Sequence, residues 1–89
     1  MSDEYTAFIR LSAEKEIARL PPKIRRQVNA RVLELEANPR RHDVKRLRGR
    51  ERTFRVASGE YRIVYEIDDD RKSVTVLTVQ HRKDVYRNL

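Results

Sequence analysis

Eighty-nine residues without a single cysteine exclude a disulfide framework and a thiolate metal site within this chain. Only 38% of the chain is apolar, and a chain this short buries roughly 60–65% of the surface its unfolded form exposes, so one lean domain over residues 1–89 is expected. The net charge of +7 points to a polyanionic partner rather than to a neutral ligand.

In chain order, Tyr5 to Leu11, with Phe8 and Ile9 among polar neighbours, is predicted as a first strand. Ser12 is the expected N-cap of a short helix, whose apolar stripe is Ala13, Ile17 and Leu20. Pro21-Pro22 ends it, and Pro22 suits the first position of a second helix. There Ile24, Val28, Val32 and Leu35 form one stripe, with Arg25, Arg26, Arg31, Glu34 and Glu36 on other faces. Asn38-Pro39 is the stop.

The second half reads as sheet. Val44 to Arg48 is a candidate edge strand, and Thr53–Ala57, Tyr61–Ile67 and Ser73–Val79 are rich in β-branched and aromatic residues. Ser58-Gly59 and Asp68-Asp69-Asp70 mark turns; three acids in a row read as a solvated turn rather than a cation site. A strand, a helical hairpin, a three- to four-stranded antiparallel sheet and a short C-terminal helical turn make an α+β domain. No apolar run nears the ~20 residues of a membrane span. The start, Met1-Ser2-Asp3-Glu4, lacks the order of a secretory signal. A cytoplasmic location is therefore expected.

The excess charge is concentrated. Residues 40–62 hold nine Lys/Arg against three Asp/Glu, a net of +6, whereas 1–39 net +1 and 63–89 net zero. Strand alternation puts Phe54 and Val56 on one side with Tyr61, Ile63, Tyr65 and Ile67. A turn at Ser58-Gly59 then pairs Val56 with Tyr61, Phe54 with Ile63, and Arg55 with Arg62. Two arginines facing one another repel, but two guanidinium forks aimed at one point make a phosphate receptor. The last strand runs back so that His81 and Arg82 reach the same end of the sheet as Arg62, with Tyr86 on the following turn. Histidine suits proton transfer near neutrality. His42 is the only other histidine and no acids cluster with it, so neither a metal site nor a cofactor is expected.

These residues resemble a known family. Gly59 to Asp68 (GEYRIVYEID), then Val79 to Arg87 (VQHRKDVYR), with Leu20-Pro21, Asn38-Pro39 and Leu47-Arg48-Gly49 upstream, resemble the RelE branch of the RelE/ParE toxin superfamily over essentially the whole chain. The resemblance implies a toxin of a type II toxin–antitoxin pair that cleaves mRNA, typically on the ribosome, and is restrained by an acidic, RelB-like antitoxin. It implies that Arg62 contacts the scissile phosphate, with Arg55, Arg82 and Tyr86 as further site residues. Family members often carry a second basic residue two positions beyond Arg55, where this chain has Ala57; His81 is the candidate to supply the missing proton transfer.

The chemistry this implies is attack of the ribose 2′-hydroxyl on the adjacent phosphorus, leaving a 2′,3′-cyclic phosphate and a 5′-hydroxyl. Arg55 and Arg62 would stabilise charge, His81 would act as base or acid, and Arg82 would be a second stabiliser or proton donor. Tyr86 would stack on a base or orient the 2′-hydroxyl. Lys45, Arg46, Arg48, Arg50 and Arg52 would follow the RNA backbone or ribosomal RNA. Two alternatives stay open: a ParE-like poison of DNA gyrase without RNase activity, and a non-catalytic basic module that binds RNA or an acidic peptide.

Overall fold

The computed structural model describes residues 4–85; Tyr86 therefore lies outside the described residues. Chain order is β1 (Thr6–Ile9), α1 (Leu11–Ala18), α2 (Pro22–Ala37), β2 (Lys45–Arg46), β3 (Thr53–Ser58), β4 (Tyr61–Asp68) and β5 (Ser73–His81). The strands form one sheet in the order β1-β5-β4-β3-β2. The α+β class agrees with the sequence reading, but the sheet has five strands because β1 joins its edge, parallel to β5. The other pairings are antiparallel.

The apolar stripes do what their spacing demands. Ala13 and Ile17 of α1, and Val28, Val32 and Leu35 of α2, are buried against Phe54, Val56, Ile63, Tyr65, Ile67, Val74, Val76 and Val79. Ile24 and Leu20 pack against this cluster partly buried. Pro22 opens α2, as expected. Ser12 is not a cap: α1 begins at Leu11 directly off the strand, with Arg10 at the N-cap position and no side-chain cap. The Arg10 N–H is still donating to the Val76 carbonyl, at 3.0 Å, so the chain turns from sheet into helix with no linker for a capping side chain to occupy.

Two carboxylates from the helices close the strand edges that would otherwise invite association. Glu36 accepts from the Ala7 N–H at 2.8 Å on the outer side of β1. β1 pairs with β5 only through residue 76. Beyond that point Glu16 of α1 accepts from the Val79 N–H at 3.0 Å and from the Thr78 hydroxyl at 2.8 Å. The loop after α2 is pinned from below, where the fully buried Tyr65 donates its hydroxyl to the Pro39 carbonyl at 2.6 Å. Burial raises the Tyr65 phenol above its ordinary range, so it remains a donor.

The β3–β4 hairpin corrects the expected register. Ser58 pairs with Tyr61, so the two-residue turn is Gly59-Glu60 rather than Ser58-Gly59. Gly59 has φ +59°, and glycine in the first central position suits a type II′ turn. Arg55 consequently lies opposite Val64, and Arg62 opposite Ala57. The slip is two residues, which leaves every side chain on its expected face while changing its neighbour.

β5 contains a second correction. Val64 pairs with Thr78 but Tyr65 pairs with Val76, leaving Leu77 as an extra residue. This β-bulge reverses the alternation. Val74 and Val76 face the helices before it, and Val79 faces them after it. His81 therefore falls on the helix side with its partner Tyr61, not on the side of Arg55 and Arg62.

Candidate functional site

The face of the sheet turned away from the helices carries the basic residues. Lys45 of β2 pairs across the ladder with Arg55 of β3, and Arg55 pairs with Val64. Arg62 lies diagonally two residues along β4 from Val64, still on that face. Lys45, Arg55 and Arg62, together with Asp43, Val56 and Ala57, line a concavity of about 260 Å³. The two arginines expected to face each other thus share a cleft through a diagonal rather than a direct pairing. Ala57, small and opposite Arg62, leaves the floor of the cleft open.

Arg62 is held at its root. Its Nη1 donates to the carbonyls of Gly59 at 3.1 Å and Tyr61 at 3.0 Å, which fixes the guanidinium against the hairpin turn. Those bonds use a single nitrogen of a group with five N–H donors. An anion in the cleft would engage the others.

Asp43 is the acid the sequence reading passed over. It sits in the segment between α2 and β2, where Arg31 of α2 donates to its Oδ2 at 2.5 Å. The same Arg31 donates from Nη1 to Glu34 at 2.7 Å and from Nε to the Ala57 carbonyl at 3.0 Å. One guanidinium thus ties the helix, the loop and the end of β3 to the wall of the cleft. The Arg31 hydrogen bond, with some help from Arg41, holds the Asp43 carboxyl below the usual carboxylate range. Asp43 in turn is the main cause that keeps Arg31 protonated more firmly than usual. The available signal was an acid two residues ahead of Lys45 inside an otherwise basic run, at the spacing that shares a strand face.

The C-terminal candidates are arranged differently from expectation. His81 packs its ring edge-on to Tyr61, with centroids 5.4 Å apart, and its Nδ1 accepts from the Lys83 N–H at 3.2 Å. Arg82 continues the ladder, its N–H donating to the Glu60 carbonyl at 2.8 Å, while its Nε pairs with the Glu60 carboxylate at 2.7 Å. Both reach the end of the sheet where Arg62 stands, as predicted, but neither lines the cleft. The bulge at Leu77 is the reason for His81.

The basic run 45–52 is also divided by the fold. Lys45 lines the cleft, whereas Arg46 pairs with Phe54 and so belongs to the other face. Arg52 lies against Glu66 and Asp68 in a separate hollow. Arg48 and Arg50 belong to the turns between β2 and β3, where the Arg50 N–H donates to the Leu47 carbonyl at 3.2 Å. Among the described residues no group of three or more His, Cys, Asp or Glu is placed to hold a metal ion. No helix of the described residues is long and apolar enough to cross a membrane.

Comparison with known proteins places this geometry. Residues 8–86 match the family described as ParE toxin of type II toxin-antitoxin system, parDE. Among curated proteins, the chain is 34% identical over 84 residues to Toxin RelG of Mycobacterium tuberculosis, covering 93% of this chain and 97% of that protein. It is 27% identical over 77 residues to Putative toxin RelE1 of Methanocaldococcus jannaschii, covering 83% and 86%. Among solved structures it is similar to a chain of the toxin–antitoxin complex RelBE2 from M. tuberculosis, with TM-score 0.78 and 35% identity over 89% of this chain and 99% of that one. It is also similar to a chain of the archaeal RelE–RelB complex from Pyrococcus horikoshii, with TM-score 0.79 and 26% identity over 89% and 96%. The chain belongs to the RelE/ParE superfamily of type II toxin–antitoxin toxins, on its RelE branch.

Proposed function

We propose that this toxin is an endoribonuclease that cleaves mRNA, with the ribosome presenting the message, by attack of a 2′-hydroxyl on the adjacent phosphate. The observation that carries the reading is the cleft on an open sheet face that Lys45, Arg55 and Arg62 line together. Three cations there form a receptor for a phosphodiester and oppose the negative charge that grows on its oxygens during attack. The same cations repel a divalent metal, so the chemistry is written without one.

Arg55 and Arg62 are assigned to the scissile phosphate. Arg82, and Tyr86 by family resemblance alone, are assigned to the leaving group and to the stacked nucleobase. His81, on the other face, is assigned to the support of this end of the sheet through Tyr61, rather than to the base. Lys45, Arg46, Arg48, Arg50 and Arg52 supply contacts to RNA phosphates whose strength falls as salt rises. The partner that restrains the toxin is an acidic, RelB-type antitoxin, and both act in the cytoplasm.

Primer extension on translated mRNA after brief induction tests the proposal: discrete new 5′ ends within coding sequence are expected. Intact message during growth arrest refutes it. The family description's mention of ParE favours one second reading, a gyrase poison, which predicts instead a block in DNA supercoiling with message uncut.

A further inference from the structure

The cleft holds three cations and one carboxylate, and the carboxylate has no place in the function proposed so far. We propose that Asp43 is the proton acceptor for the attacking 2′-hydroxyl, an inference that rests on the RNA-cleaving reading of the same cleft. In the step, the O2′–H bond breaks as its proton passes to a carboxylate oxygen of Asp43. O2′ bonds to phosphorus, and the P–O5′ bond breaks. The leaving 5′-oxygen takes a proton from water, and Asp43 returns its own to solvent, so atoms and charge balance.

Four observations converge. Among the described residues Asp43 is the only one lining the cleft that is anionic near neutrality; the others are Lys45, Arg55 and Arg62, and the uncharged Val56 and Ala57. Ala57 carries no titratable group, and His81 faces the opposite side of the sheet. The carboxylate is oriented: Oδ2 accepts from Arg31, while Oδ1 stands in a longer ion pair with Arg41 Nε at 3.6 Å. Its anchor also grips the Ala57 carbonyl, so the acceptor and the cleft floor move as one body.

The groups around it set the pH response. Arg31 and Glu34 of α2, Arg41 of the loop, Lys45 of β2, Arg55 of β3, and Arg62 and the Tyr65 phenol of β4 all face this region. Cations in the majority keep Asp43 ionised and make it a weak base. They also lower the cost of the alkoxide and of the phosphorane-like charge, which is where a weak base needs help. A bound phosphodiester adds a negative charge beside the carboxylate and moves its proton affinity back up.

Asp43→Asn is nearly isosteric, and its amide oxygen still accepts from Arg31. Removing a negative charge from a phosphate cleft should tighten RNA binding, while the single-turnover cleavage rate should fall about 10²–10⁴-fold, the usual size of a general-base contribution. A role confined to charge balance or loop anchoring predicts the opposite or nothing, so a variant that cleaves as fast as the parent, or faster, overturns the proposal. The unaltered protein supplies an arm that does not depend on the variant folding. Its rate should fall with single-proton slope only at acid pH, in the carboxylate range and well below that of an imidazole. A bend near pH 6.5 assigns the base to an imidazole and also overturns it. If the unaltered toxin cuts no RNA, the parent reading fails as well; if it cuts and Asp43→Asn cuts equally, only the assignment of Asp43 fails.

Discussion

Replacing Arg62 with alanine separates the chemical contribution of the cleft from its structural one. In the free protein the guanidinium makes two hydrogen bonds, to the Gly59 and Tyr61 carbonyls, from a single nitrogen. One is exposed and the other only part-buried, so each sits at the low end of the ~0.5–1.5 kcal/mol typical of such bonds. Their joint loss is offset by relief of repulsion from Arg55 and Lys45 in the same cleft. Arg62→Ala should therefore cost about 1 kcal/mol or less, a fall of no more than about 4–8 °C in Tm for a domain of this size. A preorganised donor aimed at a developing oxyanion is worth far more, about 10²–10³ in rate. Single-turnover cleavage of message on programmed ribosomes, beside a thermal melt of the same preparation, reads both quantities. Arg62→Lys should fall between, because it keeps the charge and loses the fork. If Arg62→Ala cleaves within threefold of the parent while staying folded, the cleft is not the phosphate site.

Three further outcomes follow from contacts outside the cleft. Tyr65→Phe keeps the ring, which stacks on Phe54 with centroids 6.0 Å apart, but leaves the Pro39 carbonyl without its donor; urea unfolding should show a loss of about 1–3 kcal/mol. Glu16→Ala unseals the part of β5 that β1 does not reach, so the Val79 amide should exchange with solvent markedly faster, and unchanged exchange there would mean the edge is closed by something else. Asp69 accepts both guanidinium nitrogens of Arg40, at 2.9 and 2.8 Å, and the Tyr5 hydroxyl at 2.7 Å, which lowers its carboxyl to about 2. A carboxyl depressed in the folded state stabilises it above the ordinary Asp range, and that contribution is lost as pH falls from about 4 towards 2. Asp69→Asn should flatten the unfolding-versus-pH curve in that window.

Much of the fold was legible because its signals are local. The stripes Ala13–Ile17 and Val28–Val32–Leu35, Pro22 at a helix start, and the alternation of Phe54, Val56, Ile63, Tyr65 and Ile67 each follow from a period that survives any tertiary context. What escaped was non-local or parity-neutral. A two-residue slip in the hairpin preserves every face, so patterning could not see that Arg55 meets Val64 rather than Arg62. The bulge at Leu77 reverses parity, and its trace in the sequence is the three-residue step from Val76 to Val79, which sent His81 away from the cleft. β1 adds its strand from sixty-odd residues away, a parallel pairing that local periodicity does not encode. Asp43 acquires its place only through Arg31, twelve residues earlier on a helix.

The measurement closest to the central claim is the chemistry of the ends left on cut message. RNA cleaved by the purified toxin on ribosomes should carry a 2′,3′-cyclic phosphate, or its opened phosphate, on the upstream fragment and a 5′-hydroxyl on the downstream one. Those are the marks of 2′-hydroxyl attack within the cleft of Lys45, Arg55 and Arg62. A 3′-hydroxyl facing a 5′-phosphate would mean that water, not the ribose, attacked, and would contradict the account.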